Sequence, residues 1–137
     1  MNTYLFTCLA IVYCILPIMT ADITPYLNRP DLLMETVKQI EKDFGWFDLK
    51  IVFSGNTGNA YTELFSQIQP HIEKMLAENT QQFYSLMYRI DLSEQQIKKA
   101  VESAKDSSFS EIVTDLILKR ELQKVIIRKR FSLGKGL

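Results

Sequence analysis

The sequence predicts an all-α fold, or one nearly so, built as a single domain of five or six helices. Apolar residues recur at spacings of three and four over most of the chain, which is the period of a helix that buries one face. Glycine, proline and capping residues divide this pattern into segments of helical length. Of the 137 residues, 47% are hydrophobic and the formal net charge is zero. This composition can supply a core and excludes a disordered chain.

The chain begins with an apolar leader, residues 1–21, and the predicted helical domain follows as residues 22–137. The run from Leu5 to Met19 is shorter than the ~20 apolar residues that a membrane-spanning helix needs. A secretory signal has a basic start and a small residue three positions before the cleaved bond. This run has no preceding Lys or Arg, and cleavage after Ala21 would leave bulky Met19 at that position.

Three interpretations of the leader therefore stay open. It is a signal, an anchor through residues 3–20, or an artefact of an upstream start whose true first residue is Met19. A start at Met19 predicts a cytoplasmic protein. The other two interpretations predict a secreted or periplasmic protein and a membrane-anchored one, and the mass of the mature protein distinguishes all three.

The first helix of the domain is predicted from Asn28 to Phe44. Pro30 suits its first turn because the proline φ is already helical, Asp31 complements the positive end of the helix dipole, and Gly45 ends the helix. The predicted apolar stripe consists of Leu33, Val37, Ile40 and Phe44.

Residues 47–54 form the one strand-like segment, in which Leu49, Ile51 and Phe53 occupy alternate positions. A single strand cannot satisfy its own backbone hydrogen bonds. The segment therefore pairs with another part of the chain, pairs with a second copy of the protein, or serves as an extended connector that lays aromatic residues on the core.

Helical periodicity resumes at Tyr61 and continues to Glu78. Pro70 interrupts this run, so we expect it to kink the helix or to open a second one. The next helix is predicted from Asn79 to Ile90, because Asn79 is a suitable cap and the apolar period continues behind it.

Two capping boxes predict the last two helices, because each pairs a serine with a glutamine or glutamate three residues later. Ser93 with Gln96 opens a short helix. Ser108 with Glu111 opens the longest helix, which is expected to end at residues 131–133, before Gly134.

Residues suited to catalysis or metal binding are scarce. His71 is the only histidine, and Cys8 and Cys14 both lie in the leader, so the domain contains no thiol. The loop 55–58 precedes a helix start, as phosphate-binding loops do, but it contains no lysine and fits no nucleotide-binding signature. We predict a turn there, and no catalytic residue, metal site, cofactor or small-molecule ligand.

Charge is distributed unevenly along the chain. Residues 1–118 carry nine basic and fifteen acidic residues, whereas residues 119–137 carry seven basic and one acidic residue. Arg120, Lys124 and Arg128 are spaced by four and therefore line one face of the last helix. The sequence predicts a basic stripe on an otherwise acidic protein.

The apolar stripe of the last helix changes sides near residue 118. A straight helix with this pattern must contact two surfaces, so its second half is expected to face a partner. The alternative is that the helix bends, or that neighbouring helices cover both sides while the basic stripe lies over the acidic remainder of the molecule. The candidate partner-binding residues are Leu118, Arg120, Leu122, Lys124, Val125, Ile126 and Arg128.

These features predict a non-enzymatic interaction module whose partner is a protein, including a second copy of itself. One alternative is binding of nucleic acid or an anionic membrane surface through the same basic helix. Neutral overall charge and aromatic residues in apolar-periodic positions disfavour nucleic acid. Another alternative is a small enzyme with no recognisable motif.

Two segments, Leu86 to Glu94 and Lys119 to Val125, resemble small bacterial helical proteins that have no assigned function. The resemblance covers most of the chain after Met19. It implies a cytoplasmic protein without an apolar leader, which favours the start at Met19, and it implies no activity or site residue.

Overall fold

The computed structural model describes residues 22–135, with side chains as far as Ser132. Within this range the chain forms six α-helices and no strand, which confirms the predicted all-α bundle. The predicted leader, residues 1–21, lies outside the described residues. The helices are α1 (Thr24–Leu27), α2 (Pro30–Gly45), α3 (Ala60–Glu78), α4 (Thr80–Ile90), α5 (Glu94–Ser103) and α6 (Phe109–Lys135).

Helix α2 begins at Pro30, two residues after the predicted start at Asn28, and ends at Gly45, one residue after the predicted end at Phe44. Pro30 occupies its first turn together with Asp31, and Gly45 is its last residue. Asp48 then adopts a left-handed conformation with φ 56°, which turns the chain away from the helix end. The predicted stripe of Leu33, Val37, Ile40 and Phe44 is buried.

The strand-like segment is an extended connector. Two of its residues, Val52 and Ser54, bond through their backbone to side chains of α3 instead of to a second strand. Gln67 accepts a hydrogen bond from the Val52 backbone N–H at 2.8 Å and donates one to the Val52 carbonyl at 2.6 Å. Glu63 accepts hydrogen bonds from the backbone N–H and the hydroxyl of Ser54, both at 2.7 Å. Of the three possibilities left open by the sequence, the structure has the third.

Helix α3 runs unbroken through Pro70. The expectation that Pro70 opens a second helix is therefore wrong. Pro70 is exposed, so its ring faces solvent and the helix retains its packing on the other side through the buried residues Leu64, Ile68, Ile72 and Met75.

The predicted caps of the later helices are confirmed. Ser93 and Gln96 form a complete capping box at α5. Ser108 accepts a hydrogen bond from the Glu111 N–H at 3.3 Å, and Glu111 accepts one from the Ser108 N–H at 3.2 Å. Asp91, with φ 68°, ends α4.

Helix α6 is the central element of the bundle, because it packs against α2, α3, α4 and α5. Its apolar residues are buried on both sides of the point where the stripe changes face, from Ile112 to Ile126. No helix between residues 22 and 135 combines the length and apolar character needed to cross a membrane.

Candidate functional site

The residues predicted to bind a partner lie mostly inside the molecule. Leu118, Leu122, Val125 and Ile126 are all buried in the monomer. These four apolar residues therefore present no free docking face, and for them the alternative in which neighbouring helices cover both sides of α6 is the one observed. The physical reason is that α6 lies between the other helices, so each of its apolar patches has an intramolecular partner.

The basic stripe is also largely used within the chain. Arg120 forms an ion pair with Asp91 and donates from Nε to the Asp91 carbonyl at 3.1 Å. Lys124 contacts Asp43 at 2.9 Å. Arg128 is exposed and forms no ion pair with the residues that the structure describes. Arg120 and Lys124 therefore neutralise acidic groups of the same molecule, whereas Arg128 does not.

Four ionisable residues from three helices form a cluster at this stripe, and its two carboxyl groups are buried. Asp43 and Glu121 have side chains that are 4% and 0% exposed. Lys124 lies 2.9 Å from Asp43 and 3.1 Å from Glu121, and Arg89 Nε lies 3.2 Å from Asp43 Oδ1. Gln39 donates to Asp43 at 2.9 Å. Buried charges need such partners because desolvation is costly.

The two carboxyl groups of the cluster differ in protonation. Burial raises the pKa of Glu121 to about 8, and the nearby carboxylate of Asp43 adds to this shift. For Asp43, burial opposes ionisation, but hydrogen bonds from Lys124 and Gln39 outweigh it and lower the pKa. These shifts favour the protonated form of Glu121 and the ionised form of Asp43 near neutral pH.

The two carboxyl groups of this cluster are shielded from solvent. Asp43 and Glu121 are buried under α6, and the Arg89 guanidinium is covered by the Trp46 ring, whose centroid lies 4.3 Å from Cζ. The ion pairs and hydrogen bonds of the cluster therefore connect α2, α4 and α6, and its polar groups interact with one another.

A concave surface lies elsewhere in the described part of the chain, between α3, α5 and α6. We call it the α3/α5/α6 groove, and its volume is about 740 Å³, in the range of ligand-binding clefts. Apolar and small side chains from all three helices form much of its lining. The lining residues are Tyr61, Phe65, Gln96, Lys99, Ala100, Ser103, Ala104, Ser107, Glu111, Ile112, Asp115, Leu116 and Lys119.

The polar groups at one end of the groove contact one another. The Tyr61 hydroxyl donates to Asp115 Oδ1 at 2.6 Å, and Lys119 Nζ lies 2.6 Å from Asp115 Oδ2. Burial and the bond to Asp115 raise the pKa of Tyr61 well above its ordinary value, so the phenol stays protonated. Each carboxylate oxygen of Asp115 thus has a partner within the chain, and its negative charge is balanced by Lys119.

Sequence reasoning missed this groove. Asp115 and Lys119 are four residues apart, a spacing that predicts an ion pair on one helix face. Their partner Tyr61 is 54 residues from Asp115, and only tertiary packing brings the two together. The sequence contained the signal for the pair, but not for the cleft around it.

A second, shallower surface lies on α4. Its residues are Thr80, Gln81, Tyr84, Ser85 and Tyr88, all of them exposed and uncharged. Tyr84 and Tyr88 are one helical turn apart and present their rings to solvent. This surface encloses a smaller volume than the α3/α5/α6 groove, about 500 Å³ against about 740 Å³.

No three His, Cys, Asp or Glu side chains in the described part of the chain are grouped so that they could hold a metal ion. Comparisons of the chain with protein-family models, with curated proteins and with solved structures find no match. The resemblance to small bacterial proteins stays a prediction.

Proposed function

We propose that this protein is a non-enzymatic interaction module that binds an uncharged, apolar helical segment of a partner protein in the α3/α5/α6 groove. The observation that carries the proposal is the combination of a concave, partly apolar surface with polar groups that are already paired. Grooves of this kind receive the apolar face of an amphipathic helix.

The charges around the groove support an uncharged occupant. The lining contains two acidic residues, Glu111 and Asp115, and two basic residues, Lys99 and Lys119. Asp115 is bonded to Tyr61 and Lys119, and Glu111 caps the start of α6. A charged ligand would gain little here, because it would have to compete with these intramolecular contacts.

Binding of nucleic acid or an anionic membrane surface through the basic helix has less support. Arg120 and Lys124 are engaged with Asp91 and Asp43. Of the predicted stripe, Arg128 is the residue left exposed, and a single arginine supplies little of the phosphate neutralisation on which such binding depends.

The proposal can be tested by photo-cross-linking in the host cell. A photoreactive amino acid replaces Ser103, which lines the groove, in a chain that starts at Met19. The matched control replaces Lys98, an exposed residue of the same helix that is not part of the groove. We expect a recurrent protein adduct from position 103 and none from position 98.

A groove-filling variant, Ala100→Arg, should remove the adduct at position 103, while circular dichroism confirms that the helices are retained. A second copy of this chain in the adduct would identify the partner as the protein itself. Equal adduct formation at positions 98 and 103, or none at 103, would contradict the proposal.

A further inference from the structure

Helix α4 presents two tyrosine rings to solvent, although its opposite side is buried in the core. The side chains of Tyr84 and Tyr88 are 57% and 89% exposed. The polar residues beside these rings, Thr80, Gln81 and Ser85, are exposed and carry no charge. We call these five residues the α4 tyrosine face.

Part of this face is held in place by contacts within the chain. The Tyr84 ring packs edge-on against the buried ring of Phe83, with 5.6 Å between the centroids. At the other end of the helix, the Trp46 ring covers the Arg89 guanidinium at 4.3 Å, and Arg89 Nε lies 3.2 Å from Asp43 Oδ1. Because these side chains are already ordered, covering them costs less conformational entropy than covering free side chains would.

The area of the face, extended by Trp46, suits a small protein interface. Trp46 is 69% exposed. An aromatic side chain buries about 150–250 Å² in a contact, so the exposed parts of Tyr84, Tyr88 and Trp46 supply about 300–550 Å². A standard interface buries about 800 Å² per partner, and the polar residues of the face add to the aromatic area. Trp, Tyr and Arg are also the residues that dominate the binding energy of protein interfaces.

The charge of the face favours a second copy of this chain as the occupant. A surface that meets its own copy brings like charges together, so a charged surface repels itself. The five residues of the α4 tyrosine face carry no charge, and the adjacent Arg89 is paired with Asp43. Two copies can therefore meet on this face without electrostatic repulsion.

We propose that two copies of this protein form a symmetric dimer through the α4 tyrosine face and Trp46. In such a contact the two-fold axis passes through the centre of the shared face. Tyr84 lies midway between Thr80 and Tyr88 along α4, so it lies near its own copy. The α3/α5/α6 groove contains no residue of α4, so both grooves of the dimer remain accessible, and the dimer does not depend on the function proposed for them.

Sedimentation of the full chain over a range of concentrations tests the proposal. Tyr88→Glu places a charge on the face and should raise the dissociation constant of the dimer at least about tenfold. Val52→Glu is the matched control, because Val52 is an exposed apolar residue outside the face, and it should change the constant less than about twofold. Circular dichroism confirms that both variants retain their helices. A natural chain that stays monomeric throughout, or equal constants for the two variants, would overturn the proposal.

A photoreactive phenylalanine at position 84 gives a second readout that introduces no charge. We expect a dimeric adduct whose cross-linked peptide comes from α4 of the second copy, and no such adduct from the same amino acid at position 52. An adduct located in the α3/α5/α6 groove of the second copy would overturn the symmetric contact. A monomeric chain that binds phosphatidylcholine vesicles through Tyr84 and Tyr88 would also overturn it and would assign the face to a lipid surface.

Discussion

At the scale of single residues, Glu121 is an unusual carboxyl group, because burial raises its pKa to about 8. Its side chain is fully buried, and Lys124 Nζ lies 3.1 Å from its Oε2. The sequence predicted that Lys124 would lie on a basic stripe, but not that it would lie between two buried carboxyl groups. That arrangement depends on Asp43, which is 81 residues away from Lys124.

We predict that Glu121 makes the folded state less stable as the pH rises. The unfolded chain releases the Glu121 proton near pH 4.5, whereas the folded state retains it to about pH 8. The folded state therefore binds more protons in this interval, and the free energy of unfolding decreases from about pH 4.5 to about pH 8. A shift of this size corresponds to at most about 5 kcal/mol.

Glu121→Gln should remove this decrease, because the amide cannot ionise, and should leave the variant more stable than the natural protein at pH 8. Urea unfolding at a series of pH values measures the effect, with the exposed Glu102→Gln as control. The lowered pKa of Asp43 acts in the opposite direction and below its ordinary value of 3.8, so the two windows are separate. A natural protein whose stability is constant between pH 5 and 8 would refute the assignment.

At the scale of elements, the local signals in the sequence located most helix ends. Ser93 with Gln96 and Ser108 with Glu111 form the predicted capping boxes because these contacts involve residues only three positions apart. The sequence left alternatives open where distant groups decided the outcome. The extended segment around Val52 needed no strand partner, because Gln67 and Glu63 of α3 reach its backbone.

Helix α3 should become more stable when Pro70 is replaced. Proline lacks the N–H that would bond to the carbonyl four residues earlier, and its ring crowds that carbonyl. Because Pro70 is exposed, Pro70→Ala leaves no cavity and should raise the free energy of unfolding by about 1–2 kcal/mol. Thermal unfolding measures the change.

Lys74→Ala, at another exposed position of the same helix, serves as the control and should change stability by less than about 0.5 kcal/mol. A Pro70→Ala variant that is less stable than the natural protein would mean that α3 depends on the proline for its path.

At the scale of the whole molecule, α6 packs against α2, α3, α4 and α5, so we expect these helices to unfold as one cooperative unit. Leu122 is fully buried near the middle of this helix. Leu122→Ala should therefore lower the free energy of unfolding by about 2–5 kcal/mol. Far-ultraviolet circular dichroism and the fluorescence of Trp46 should report the same transition.

Val101→Ala is the matched control, because Val101 is partly exposed on α5, and we expect it to cost less than about 1 kcal/mol. Separate midpoints for circular dichroism and fluorescence in the natural protein would contradict a single cooperative unit.

The sequence by itself determined the all-α class, the capping boxes and the absence of a familiar catalytic motif, because these depend on residue types at short spacings. It also indicated that α6 has two apolar patches. Only the tertiary structure decided what covers them, and it showed that Leu118 and Leu122 belong to the core. Periodicity records which face of a helix avoids water, but the surface that covers that face comes from residues distant in the chain.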